Sequence, residues 1–232
     1  MSSDATMTLE NPLVTRVVNQ DMAANTYLYR LPDSSGCVVV DPGLDRQAID
    51  EALTMTGLTP LAIFLTHGHF DHVGSAEHLS RRFDIDVHLH DADVDIVRAS
   101  NFTMMALKMS TRIEVPTRRV PIVEGNAWVR GSARIDFLHV PGHTPGSVAI
   151  LADGMAFTGD TLYRNDVLPG TLPGSDDDRL AESLKRLWSE LPEDLMVYPG
   201  HGQPATFGEI RLSNRPLRAL VGAEDTAKVP QA

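Results

Sequence analysis

The 232 residues, 42% of them hydrophobic, are enough to bury one sizeable core. Twenty Lys and Arg against 31 Asp and Glu leave a net charge of −11, and the short basic clusters Arg81-Arg82 and Arg118-Arg119 are thin footing for phosphates, which excludes nucleic acid as a partner. A lone cysteine, Cys37, rules out an internal disulfide, the N-terminus has no apolar signal segment, and no apolar run reaches the about 18 residues of a membrane helix; a cytoplasmic protein with a small-molecule substrate and no membrane partner is expected.

Residues 1–12 read as a loose leader ending at Pro12. Strands are predicted at 13–18, 26–31 and 37–40, with Asp33-Ser34-Ser35-Gly36 as the last turn and Cys37 as a buried strand thiol beside Val38-Val39-Val40. Ile49, Ala52 and Leu53 give 45–56 a helical spacing. The apolar run Ala62-Ile63-Phe64-Leu65 then leads into Thr66-His67-Gly68-His69-Phe70-Asp71-His72, three imidazoles and one carboxylate in six consecutive residues. In extended backbone, residues two apart share a side, so His67 and His69 converge on one metal ion. Beyond the strand end the chain turns, and Asp71 and His72 face a second ion beside it.

A helix is predicted at 75–83 and a strand at 87–89. Residues 91–125 form a helical insert or lid: Phe102, Met105, Ala106 and Met109 follow the spacing of one helix face. We read them as an ordinary helix packed on the rest, with a soft apolar lid beside the metal centre, Met105 touching substrate, as the second reading. Strands follow at 134–140, 147–151 and 155–158, then a helix opened by Asp176-Asp177-Asp178, whose carboxylates suit the positive end of its dipole. A strand at 195–198, a helix at 207–212 and a frayed tail over 221–232 complete the chain. The order says α/β or α+β.

Further ligand-type residues stand on Gly- or Pro-bearing turns after strand-like stretches: His143 in Pro141-Gly142-His143-Thr144-Pro145-Gly146, Asp160 in Gly159-Asp160-Thr161, and His201 in Pro199-Gly200-His201-Gly202. They run from 67 to 201 and must meet at one site, so 13–220 reads as one domain. In this order the HGHFDH, PGHTPGS, GDT and PGHG motifs resemble the metallo-β-lactamase superfamily of binuclear hydrolases, most of all its glyoxalase II (hydroxyacylglutathione hydrolase)-like group, over about residues 14–216.

The resemblance implies a four-layer αββα sandwich, with one ion on His67, His69 and His143, another on Asp71, His72 and His201, and Asp160 between them. It implies two divalent cations, zinc first, iron or manganese also suiting imidazole and carboxylate. It further implies hydrolysis of an electrophilic carbonyl by metal-activated water, with Asp71 also orienting the nucleophile. Asp41, before Pro42-Gly43, is a candidate to hold the far nitrogen of a ligating imidazole, or else a turn residue. His78, His88, His90 and His139 lie outside these motifs. The chain after His201 is short for the added domain of glutathione-specific members, so another small acyl thioester is expected. The segment after GDT, Leu162-Tyr163-Arg164-Asn165-Asp166, departs from the commonest pattern of the group. Tyr163 and Phe70 resemble acyl-homoserine lactonases, which makes lactone hydrolysis the second reading and Tyr163 a candidate donor to substrate. A mononuclear iron persulfide dioxygenase on His67, His143 and Asp160 is third, and a non-catalytic metal-binding interaction protein last.

Overall fold

A computed structural model describes residues 6–32, 34–170, 172 and 174–223. The first sheet takes β1 (Thr6–Asn11), β2 (Val14–Val18), β3 (Asn25–Arg30), β4 (Gly36–Val40), β5 (Thr59–Phe64), β6 (Val87–Leu89) and β7 (Arg119–Pro121) in sequence order. It is antiparallel up to β4 and parallel beyond. The second sheet holds β8 (Trp128–Arg130), β9 (Ala133–His139), β10 (Val148–Ala152), β11 (Met155–Gly159), β12 (Met196–Pro199) and β13 (Ala205–Thr206). Parallel neighbours need a crossover, and helices supply it. α1 (Arg46–Thr56) joins β4 to β5; α2 (Phe70–Val73) and α3 (Ala76–Phe83) join β5 to β6; α4 (Val94–Ala106) precedes β7. α5 (Asp177–Glu190) joins β11 to β12, and α6 (Phe207–Ser213) and α7 (Arg215–Leu220) follow β13.

Strand alternation sorts the side chains into three buried layers. Tyr27, Tyr29, Val38, Val40 and Phe64 of the first sheet meet Ile135, Phe137, Ile150, Phe157 and Tyr198 of the second. Their neighbours point the other way: Leu28, Cys37, Val39 and Ile63 pack under α1, α3 and α4. Leu138, Ala149, Ala156 and Val197 pack against Leu180, Leu184 and Leu187 of α5 and Phe207 of α6. The result is helix, sheet, sheet, helix, the expected αββα arrangement. Cys37 is enclosed, and burial pushes its thiol up to about 12. The helices begin on polar caps: Asp45 accepts from the Ala48 amide, Asp176 from the Arg179 amide, and Thr206 with Glu209 closes a capping box.

Two expectations need correction. Residues 6–11, assigned to a loose leader, form β1 and pair with β2, because Met7–Leu9 find a free strand edge that composition does not reveal. The rest of that leader, residues 1–5, and the tail over 224–232 lie outside the described residues. In α4 the buried stripe is Val97, Ser100 and Met104, so the face bearing Phe102 and Met105 looks outward, 70% and 54% exposed. Periodicity locates a stripe but not the side that the core takes. No helix among the described residues is long and apolar enough to cross a membrane.

Candidate metal centre

All seven ligand-type residues meet where strands end. β5 delivers His67, His69, Asp71 and His72; the turn between β9 and β10 delivers His143; β11 ends one residue before Asp160; β12 ends two before His201. Two groups form. His67, His69 and His143 offer ligand atoms mutually within 4.8 Å, and so do Asp71, His72 and His201. His143 Nε2 is 3.0 Å from His69 Nδ1, and His72 Nε2 is 3.3 Å from His201 Nε2. Asp160 lies between the groups: its Oδ2 is 3.5 Å from both His143 Nε2 and His201 Nε2, and its Oδ1 is 3.5 Å from His72 Nε2.

These spacings are a test of fit. Donors held about 2.0–2.1 Å from a tetrahedral ion stand about 3.3–3.4 Å from one another. His67 Nε2 and Asp160 Oδ1 are buried with no hydrogen-bond partner, an expensive state for a polar atom unless a cation takes it up. The residues therefore fit divalent ions.

The outer nitrogens of two imidazoles are already engaged. Asp41 Oδ1 accepts from the Thr66 amide at 2.7 Å, and its Oδ2 accepts from Thr66 Oγ1 at 2.6 Å and faces His72 Nδ1 at 3.1 Å. Thr66 Oγ1 lies 3.0 Å from His67 Nδ1. Donation from both Nδ1 atoms leaves both Nε2 lone pairs for the centre, the tautomers that this network assigns. Asp41, together with His67 and His72, also makes a third group with metal-binding spacing, but its oxygens are consumed by these donors. Its left-handed backbone (φ 50°) makes it a turn residue as well. Asp41 thus combines a turn conformation with hydrogen bonds to Thr66 and a contact to His72.

Charge divides the two groups. Burial lowers His67 and brings His69 to about 4, so both are neutral and ready to donate. Burial also weighs against charge on His72 and His201, but the Asp160 and Asp71 carboxylates outweigh it and lift them to about 9 and about 10. Burial opposes charge on Asp160 too; His72 and His201 overcome it and hold the carboxyl well below its usual range. Two buried carboxylates thus demand positive charge, which protons or metal ions supply.

A cavity of about 350 Å³ opens over the centre, walled by Tyr163 and by the apolar side chains of Met22, Phe70, Leu107, Leu168 and Leu172. Tyr163 is buried rather than hydrated, and burial with its hydrogen bond to Asp160 pushes the phenol well above its ordinary range. Met105 is not among the lining residues; Leu107, at the end of the same helix, is.

The metallo-beta-lactamase superfamily model matches residues 20–201, a span that contains every one of these ligand positions. The chain belongs to the metallo-beta-lactamase superfamily. Within this superfamily it is similar to a probable metallo-hydrolase, YqgX, of Bacillus subtilis, 32% identical over 77% of this chain and 85% of that one. It is 26% identical to the hydroxyacylglutathione hydrolase GloC of Haemophilus influenzae, over 78% of this chain and 87% of that one. Among solved structures it resembles TTHA1623 in a di-iron-bound form, with a TM-score of 0.77, 36% identity, and coverage of 86% of this chain and 98% of that one.

Sequence reasoning missed Asp93, fully buried behind the superfamily motifs. It accepts from the Gly68 amide at 2.8 Å, the Gly146 amide at 2.6 Å and Thr144 Oγ1 at 2.7 Å. One carboxylate so ties the His67–His72 loop to the His143 turn. A single Asp in Asp91-Ala92-Asp93 carries no spacing signal. Asn25 was missed likewise: its amide donates to Gly200 O, its Nδ2 donates to Pro199 O and Gly202 O, and it thereby holds the His201 loop.

Proposed function

We propose that the protein is a binuclear metallohydrolase of a small acyl thioester. The observation that carries the reading is the pair of ligand triads sharing one carboxylate, Asp160. His67, His69 and His143 would hold one divalent ion, and Asp71, His72 and His201 the other. Zinc suits this donor set, and iron or manganese would also fit. When bound, such ions lower the pKa of water towards about 7 and polarise a carbonyl.

The chain's own groups do the rest. Asp71 lines the cavity and would accept a hydrogen bond from the attacking water, aligning it with the carbonyl carbon. Asp41 fixes the rings of His67 and His72, and Asp93 fixes the spacing of the two loops. The apolar wall keeps bulk water from the reacting bond. A thiolate leaves without needing a proton, so no general acid is required, and the likeness to GloC adds support. The net charge of −11 favours a small-molecule substrate over nucleic acid, and the lone buried Cys37 suits a reducing cytoplasm.

Lactone hydrolysis is the second reading, favoured by the buried phenol of Tyr163 on the cavity wall. A one-iron persulfide dioxygenase has less support, because it leaves His69, Asp71, His72 and His201 without a task. Metal analysis of anaerobically purified protein, with kinetics on acyl thioesters and homoserine lactones side by side, tests all three. Two ions per chain are expected, with thioester turnover that Tyr163→Phe changes only a few-fold. At most one ion after incubation with excess zinc, iron or manganese overturns the binuclear reading. A large drop confined to lactones, with negligible thioester rates, puts the lactonase first. One iron with oxygen consumption on glutathione persulfide puts the dioxygenase first.

A further inference from the structure

The reaction cavity continues into a groove of about 360 Å³ along the outer side of α4, with which it shares His69, Phe70 and Leu172. Ile96, Ala99 and Phe102 of α4 form one wall and Pro145 contributes to the other. Among the described residues no Lys or Arg lines the groove and its one formal charge is Asp95; Ser100 and Thr103 add hydroxyls. An anionic arm would find no counter-charge there and one repelling carboxylate, whereas a hydrocarbon arm would find a predominantly apolar surface.

The mouth repeats the pattern. Met22, Leu107 and Leu168 of the cavity lining and Phe102 of the adjoining groove are all exposed large apolar side chains. Scattered exposed apolar residues mean little, but a cluster over a cavity marks a binding surface. Met22 reaches this rim from consecutive left-handed residues, Met22 and Ala23 (φ 64° and 55°), a backbone state that is costly without glycine. A separate recess, bordered by Arg164, Asn165 and Gln203, meets the cavity at Tyr163, Leu168 and His201 and shares no residue with the groove. The two exits differ in polarity.

We infer that the α4 groove binds the uncharged hydrocarbon chain of the acyl group, so that the substrates are medium-chain acyl esters of a thiol rather than short, polar 2-hydroxyacyl ones. The polar leaving thiol then exits past Arg164. This rests on the hydrolase reading above and specifies its substrate. Each methylene buried in such a groove is worth about fourfold in binding, and even partial burial gives a clear dependence on chain length.

The test uses the metal-loaded enzyme and a series from acetyl to decanoyl thioesters of one small neutral thiol, beside binding of the neutral fluorophore N-phenyl-1-naphthylamine. We expect kcat/KM for octanoyl to exceed that for acetyl at least tenfold, and n-octanol, not ethanol, to displace the fluorophore. Ala99→Trp fills the groove from an exposed helix position; it should collapse the octanoyl-to-acetyl ratio towards unity and weaken fluorophore binding about tenfold. Because the ratio is taken within one protein, any loss of folded enzyme cancels. Thioester turnover with no chain-length dependence, or a ratio that Ala99→Trp leaves intact, overturns the groove assignment while the hydrolase stands. Fluorophore binding that Ala99→Trp weakens, without turnover of any thioester, upholds the groove and overturns the thioesterase. Absence of alcohol-sensitive fluorophore binding overturns the groove whatever the kinetics.

Discussion

On the floor of the cavity His67 and His72 are wholly enclosed, with Asp41 bonded to Thr66 and His72 and Asp93 bonded to two loops. At its mouth Met22, Phe102, Leu107 and Leu168 keep much of their surface in water. The floor is held from behind: Asp41 bonds to Thr66 and faces His72, Thr66 faces His67, and Asp93 joins the two loops. The mouth is lined by half-exposed side chains with no such hydrogen-bonded support among the described residues. On the proposed function, reaction type would reside in the floor and substrate choice in the mouth, and substitutions in the two should differ in kind as well as size.

The largest effect belongs to the floor. Asp71→Asn keeps the size of the side chain but loses the charge; we expect kcat per bound ion to fall about 10²–10⁴-fold, beyond what any change in occupancy explains. An unchanged kcat per ion would make Asp71 a ligand only. Next comes Asp93→Ala, which strands the Gly68 and Gly146 amides and the Thr144 hydroxyl without their acceptor. The expected destabilisation is about 3 kcal/mol or more, read from urea unfolding, with metal content falling alongside. A smaller, more local break is Gly200→Ala. An added Cβ would stand 2.1 Å from Asp160 Oδ1 and 2.8 Å from His72 Cε1, so the carboxylate must shift. We expect kcat/KM to drop about 10–100-fold, with a destabilisation of about 1–3 kcal/mol from the overpacking. The smallest effect belongs to the mouth: Phe102→Ser should move stability by no more than about 0.5 kcal/mol and leave metal content as it was. A large loss of stability there would erase the distinction between the two regions.

What the amino-acid order makes legible follows the same division. The floor was readable because residues of the metal-ligand type stand in a distinctive spacing: His67, His69, Asp71 and His72 announce themselves, and the Gly- and Pro-bearing turns mark His143, Asp160 and His201. Asp41 was visible as a carboxylate after a strand. Asp93 was not, since its partners are two backbone amides and a hydroxyl that only folding brings together. The long strands and amphipathic helices were legible, whereas β1, β7, β8 and β13 are edge or near-edge strands whose existence depends on a neighbour. The mouth was misjudged at Met105: the helix was recognised, but its rotation about its own axis is decided by which stripe the core accepts, and that stripe includes a serine, Ser100.

The tether between residues 24–27 and 199–201 has a consequence for how the site assembles. Ala24 pairs with His201 in an isolated bridge, and Asn25 and Tyr27 hold Pro199 and Gly200 by hydrogen bonds. A nascent chain emerging from the ribosome up to α5 already carries His67, His69, His143 and Asp160, the makings of one triad and the shared carboxylate. It lacks β12, the strand that presents His201. His201 therefore joins Asp71 and His72 only after β12 has emerged and residues 24–27 have captured it, so that a chain cut after α5 keeps His67, His69, His143 and Asp160 together but lacks one member of the second group.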